Sequence, residues 1–107
     1  MATFQVQVGS LTLCLDENGF IQETDKWNTE VATALAKMIG ITELSQDHWR
    51  LVNYVRSHYT RFGVAPMVRQ LVKDTGFSRE QIYELFPLGP AKGLCRVAGL
   101  PKPTGCI

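Results

Sequence analysis

Two cysteines, Cys95 and Cys106, stand eleven positions apart at the end of a 107-residue chain, with Cys106 in the penultimate place. A thiol reacts as its thiolate, and two thiols within chain reach of each other can close a disulfide. Pro101 and Pro103 stiffen the stretch between them, while Gly99 and Gly105 let it bend near each end. That is the layout of a hinged arm with a thiol at its tip. Extended as polyproline II at about 3.1 Å per residue, the run from Pro101 to Ile107 spans about 20 Å. Such a tip could fold back onto the body or enter a partner's cleft. A disulfide between Cys106 and Cys95 is sterically conceivable, subject to the short Cα separation that the bond demands.

The two thiols read differently by pattern. Cys106 cannot be core by periodicity, since Ile107 alone lies beyond it. Ala91, Leu94, Cys95 and Ala98 fall at i, i+3, i+4 and i+7, so Cys95 lies on or beside an apolar helical stripe. A small buried hydrophobe and a reactive thiol are both open readings of it. Lys92, Arg96 and Lys102 are near enough in sequence to lower a thiol pKa, or they are ordinary solvated charges. Cys14, on the less apolar face of a strand, has no partner spacing and reads as structural.

Other chemistries find no support. The cysteines, with His48 and His58, lack CxxC and HExxH spacing, so no metal centre is expected. Ten residues along a helix turn the two histidines about 80° from each other. The glycines sit at turns and helix ends, leaving no phosphate loop, and no cofactor site or Ser/His/Asp set stands out.

The elements that must carry these residues follow from period and punctuation. Phe4, Val6 and Val8 alternate with glutamines, Gly9-Ser10 supplies a tight turn, and Leu11, Leu13 and Leu15 alternate after it. Asp16-Glu17-Asn18-Gly19 is a second turn signal, and Phe20-Ile21 is expected to add a short third strand. Asn28 caps a helix with Val31, Leu35, Met38 and Ile39 inward, stopped by Gly40. Ser45 caps a longer one carrying Trp49, Val52, Val55 and Tyr59, which ends before Gly63. Pro66 opens a third with Met67, Leu71 and Val72 inward, closed by Gly76. Ser78 and Gln81 form a capping box ahead of Ile82, Leu85 and Phe86. Pro90 starts a last helix that Gly99 and Pro101 end. The fold class is α+β, mostly helical. Residues 1–98 form one globular domain, with the hairpin at about 3–21 and helices at about 28–98, and residues 99–107 form a flexible arm.

Composition bounds the partners. Hydrophobic residues make up 45% of the chain and charged residues 20%, with a formal charge of +1. That is ordinary globular composition, without the marked positive field that nucleic acid or anionic membrane rewards. The N-terminus has no basic and apolar leader, and no apolar run approaches the roughly 20 residues of a membrane span. A soluble, cytoplasmic protein without membrane insertion is expected. Helices on either side of Gly63 make a helix-turn-helix-like element, with Arg56, Arg61, Arg69 and Lys73 as candidate phosphate contacts. A DNA-binding regulator is therefore the lesser alternative, disfavoured by the near-neutral charge.

The run Leu85-Phe86-Pro87, Gly89-Pro90-Ala91-Lys92, Cys95 and Ala98 through Cys106 closely resembles the DsrC/TusE family of sulfur-carrier proteins. Gly19-Phe20, Trp27-Asn28, Val31-Ala32, His48-Trp49, Ala65-Pro66, Arg69 and Leu71 extend the likeness over nearly the whole chain. The resemblance implies an orthogonal helical bundle with an N-terminal β-hairpin and a flexible C-terminal arm. It implies that Cys106 bears persulfide sulfur, and that Cys95 is the second redox cysteine, closing a disulfide or a sulfur-bridged trisulfide with Cys106. DsrC-like members are co-substrates of dissimilatory sulfite reductase and hand the oxidised arm to a membrane-bound reductase complex. TusE-like members work with sulfurtransferases in the relay that thiolates tRNA, and have only the penultimate cysteine. By resemblance this chain is a protein co-substrate without turnover of its own. Two cysteines favour the DsrC side. The short link Asp74–Arg79, without the insertion typical of DsrC proteins, is TusE-like.

Overall fold

A computed structural model describes residues 4–17, 19–22 and 24–100. Strands β1 (Phe4–Val8) and β2 (Leu11–Leu15) pair antiparallel in the register Val8↔Leu11 to Phe4↔Leu15. Gly9 turns the hairpin at φ +58°, in the left-handed region that costs glycine nothing. The expected third strand is absent among the described residues. Ile21 makes a lone bridge to Leu15, because the Asp16 carboxylate accepts from the Phe20 amide and curls the chain. Phe20 and Ile21 are then buried in succession, which an alternating strand does not allow.

A 3-10 turn at Thr24–Lys26 leads into α1 (Thr29–Met38), whose N-cap Asn28 accepts from the Val31 amide at 2.8 Å. The stripe that α1 buries is Val31, Ala32, Leu35 and Ala36; of the expected stripe, Val31 and Leu35 are buried, Ile39 caps the helix half-buried and Met38 is exposed. Val31 and Leu35 pack on the hairpin's Val8, Leu13 and Leu15. Ala32 and Ala36 face the main core instead. Their small side chains let neighbouring backbone approach closely, a use that a search for large apolar residues passes over.

Helix α2 (Gln46–Phe62) starts at a capping box in which Ser45 pairs with His48, and stops at Gly63, φ +72°. Helix α3 (Val68–Thr75) follows, with the left-handed Gly76 as its cap. Pro66 and Met67 were expected inside its first turn. Both precede it: Met67 is the extended N-cap with its side chain exposed, and Val68 takes the inward place. Ser78 and Gln81 box the start of α4 (Arg79–Leu85), as the spacing predicts.

The last helix departs from a regular α-helix. Pro90–Leu94 winds as a π-turn and passes into one α-turn, α5 (Cys95–Val97). This segment lies against α1 and α2, so Leu94, Cys95, Val97, Ala98 and Leu100 complete the core begun by Leu51, Val52, Val55, Ile82 and Phe86. A mostly helical bundle carrying a β-hairpin is therefore the observed architecture, as expected. Among the described residues no helix is long and apolar enough to cross a membrane.

Candidate functional site

Cys95 takes the place of a small hydrophobe in the interior. Its side chain is fully buried within the core, and burial pushes the thiol up to about 12. Desolvation disfavours the charged form of any acid. Of the two readings open for Lys92 and Arg96, cations that lower a thiol pKa or solvated charges, the first does not hold at Cys95. Lys92 is exposed, and the Arg96 guanidinium packs over the Phe20 ring at 5.5 Å. Lys102 and Cys106 both lie outside the described residues. Cys14 is half-buried and has no disulfide.

The end of α5 is capped in two ways. The Leu100 amide donates to the Cys95 carbonyl at 3.1 Å, and the Gly99 amide to the Arg96 carbonyl at 3.2 Å. With Gly99 at φ +74° and Leu100 buried, this is a Schellman cap with its apolar contact. Two more carbonyls at this helix end need partners. Trp27 Nε1 donates to the Val97 carbonyl at 2.8 Å, and Arg56 Nη1 to the Ala98 carbonyl at 2.7 Å. The Arg56 guanidinium lies 3.9 Å from the Trp27 ring centroid. Partial burial pulls its pKa below the ordinary arginine value, leaving a cation at neutral pH.

Arg56 is thus committed to the body and is no phosphate contact, unlike its role in the DNA-binding reading. Trp27 and Arg56 were not singled out from the sequence for this position. Their partners lie 70 and 42 residues away, and no local pattern joins such positions.

The two histidines are structural. His48 Nδ1 accepts from the Ser45 amide at 3.0 Å, and its Nε2–H donates to the Leu85 carbonyl at 2.8 Å. That tautomer ties α2 to the end of α4. His58 Nδ1 donates to the Val64 carbonyl at 2.9 Å. Among the described residues no group of His, Cys, Asp and Glu could hold a metal ion.

The arrangement shields the Cys95 thiol and ties its backbone to Leu100. Comparison with known proteins gives the family. The profile of the family described as DsrC like protein matches residues 7–107. The gamma subunit of the dissimilatory-type sulfite reductase of Nitratidesulfovibrio vulgaris is 46% identical over 93 residues, covering 87% of this chain and 89% of that one. The sulfurtransferase TusE of Salmonella typhimurium is 44% identical over 100 residues, covering 86% and 90%. The oxidized gamma-subunit of the Archaeoglobus fulgidus enzyme (DsrC) superposes with a TM-score of 0.89 at 45% identity, over 97% of this chain and 100% of that one.

Proposed function

The chain belongs to the DsrC family, and on that premise we propose that it is a sulfur carrier with Cys106 as the sulfur-bearing thiol. Cys95 is the second redox cysteine. The observation that carries this reading is the joint at α5, where Leu100 hydrogen-bonds to Cys95 itself. Six residue steps separate Leu100 from Cys106, a reach of about 20 Å at ~3.3 Å per extended step. Sulfur held covalently cannot diffuse away, and tethering turns delivery into a local search at high effective concentration.

The burial of Cys95 supports an order of events. Cys106 acquires sulfur first, when its thiolate attacks the outer sulfur of a donor persulfide, the donor's sulfur–sulfur bond breaks and the donor thiolate leaves. Cys95 enters only when α5 opens and its thiol can ionise. The Cys95 thiolate then attacks the inner sulfur of the Cys106 persulfide; the Cys95–Cys106 disulfide forms within the chain and hydrosulfide leaves. Where the sulfur is instead retained between the thiols as a trisulfide, the two electrons and two protons pass to a disulfide oxidant, which is reduced to two thiols.

Dissimilatory sulfite reductase is the partner favoured by the presence of both cysteines, with a membrane-bound reductase complex receiving the oxidised carrier. A second reading, the TusE-like relay with sulfurtransferase partners, is favoured by the link between α3 and α4, only Gly76–Ser78 in length. Restoration of tRNA thiolation in cells lacking the relay carrier separates the two. For the carrier reading itself, intact-mass spectrometry after exposure to a persulfide donor should show added sulfur on the native chain. Undiminished addition in Cys106→Ser would overturn it.

A further inference from the structure

Residues 48–73 contain no Asp or Glu, although the chain has 10 acidic residues in all, and they carry Arg50, Arg56, Arg61, Arg69 and Lys73. Two of these cations are committed to the body. Arg50 lies over the Phe77 ring and donates to the Thr75 carbonyl, and Arg56 covers Trp27. Arg61, Arg69 and Lys73 stay exposed around the turn from α2 to α3. The same turn holds three large apolar side chains more than half exposed, Phe62 and Val64 at 58% and Met67 at 51%. Single apolar residues on a surface mean little, but three so close in the chain make a patch. A phenylalanine, a methionine and arginines without a carboxylate are the residues enriched at the centres of protein interfaces.

The patch is held in shape before any partner arrives. The His58 ring packs on Phe62 at 4.7 Å between centroids, and its Nδ1–H ties the Val64 carbonyl back to α2. The Arg61 guanidinium stands 5.4 Å from the Phe62 ring centroid. A Cβ at Gly63 would meet no atom within 4 Å, so among the described residues the turn stands clear of the body. Side chains ordered in advance lose less entropy on binding. A hydrated phosphate backbone rewards cations and polar donors, and three apolar side chains would gain nothing against it.

We propose that the α2–α3 turn is a docking face for a partner protein whose surface offers an apolar pocket rimmed by carboxylates. Phe62, Val64 and Met67 fill the pocket, while Arg61 and Arg69 pair with the rim. The identity of that partner as the sulfite reductase rests on the carrier reading. A carrier must leave after each transfer, and a small patch with a charged rim suits that duty. Attraction between the rims speeds encounter, and the modest apolar area permits release.

The test uses the full reduced chain, with purified dissimilatory sulfite reductase as the probe and binding rates read by surface plasmon resonance at several salt concentrations. Phe62→Ser and Met67→Ser should each weaken binding at least about tenfold, chiefly through faster release. Arg61→Gln combined with Arg69→Gln should slow association about tenfold at low salt and flatten its salt dependence. All should keep the parent's melting temperature and its uptake of sulfur from a persulfide donor, read by intact mass. Should Phe62→Ser not fold, Val64→Ser carries the same test. Variants that bind as the parent does overturn the docking face and leave the carrier reading standing. A parent that takes up sulfur but does not bind the reductase overturns the docking face and the choice of partner together. A parent that takes up no sulfur, while the variants still lose binding, keeps the face and removes the carrier reading. Loss of duplex DNA binding in the arginine variant, with reductase affinity unmoved, would make the face a nucleic-acid contact and sink the proposal. Dimerisation of the parent that Phe62→Ser abolishes, again with reductase affinity unmoved, would sink it in favour of a second copy.

Discussion

The amide of Leu100 donates to the carbonyl of Cys95 at 3.1 Å. One buried thiol residue therefore anchors, through its backbone, the segment that leads to the other thiol. Breaking that bond frees the Leu100 amide from Cys95. The glycine between them makes the bond possible, as it supplies the left-handed turn.

Gly99→Ala should be among the most damaging small substitutions in the chain. A side chain at φ +74° costs about 1–2 kcal/mol by backbone sterics alone. The new methyl also meets the Trp27 ring at 2.2 Å, and a ring packed into two cores cannot swing aside. A total loss of about 3 kcal/mol is expected in urea denaturation. A loss below about 0.5 kcal/mol would mean that the chain end is not packed as described.

Alkylation of Cys95 should depend on opening. With its thiol at about 12, the folded protein holds about a thousandfold less thiolate at neutral pH than an ordinary cysteine near 9, by the tenfold-per-unit rule. Iodoacetamide labelling followed by peptide mass should show Cys95 at least that much slower in buffer than in denaturant. Equal rates in the two media would contradict burial as the cause.

The same shift makes alkaline stability a signature of Cys95. Its pKa is raised on folding, so the folded state retains a proton that the unfolded state releases. The contribution is complete below about pH 9 and is lost as pH rises toward 12, up to roughly 4 kcal/mol over that window. Tyr54, raised to about 12 mainly by desolvation and then by its bond to Asp74, slopes the same way above pH 10. Cys95→Ala should flatten the profile between pH 9 and 10, measured by urea midpoints. An unchanged slope would assign the alkaline loss elsewhere.

His48→Ala separates fold from chemistry. It removes the capping-box partner of Ser45 and the bond to the Leu85 carbonyl, which together should lower stability by about 2 kcal/mol. Persulfide loading on Cys106 should be unchanged in the folded fraction. A loss of loading without a loss of stability would give His48 a part in the chemistry.

Much of the scaffold was legible before any coordinates, because its signals are local. Asn28, Ser45 and Ser78 cap from the positions their side chains can reach, and Gly63 and Gly76 stop helices where only a left-handed residue fits. The misplacements have local causes too. Met38 and Met67 have the size of core residues, yet α1 turns its alanines to the core and Met67 stands outside the first turn of α3. The π-turn at Pro90–Leu94 breaks the α-period that Ala91, Leu94, Cys95 and Ala98 suggest in the sequence.

By itself the sequence determined the hairpin, the capped helices, the family and the pair of cysteines with the stiff stretch between them. Each of these is written in residues close together in the chain. Tertiary structure alone decided that Cys95 rests as a protonated, buried thiol, since burial depends on Phe86, Leu51 and Val55 arriving from elsewhere. It alone decided that Trp27 and Arg56 meet at the end of α5. Side-chain donors find carbonyls 42 and 70 residues away only after packing has brought them together, and no period or spacing along the chain records that meeting.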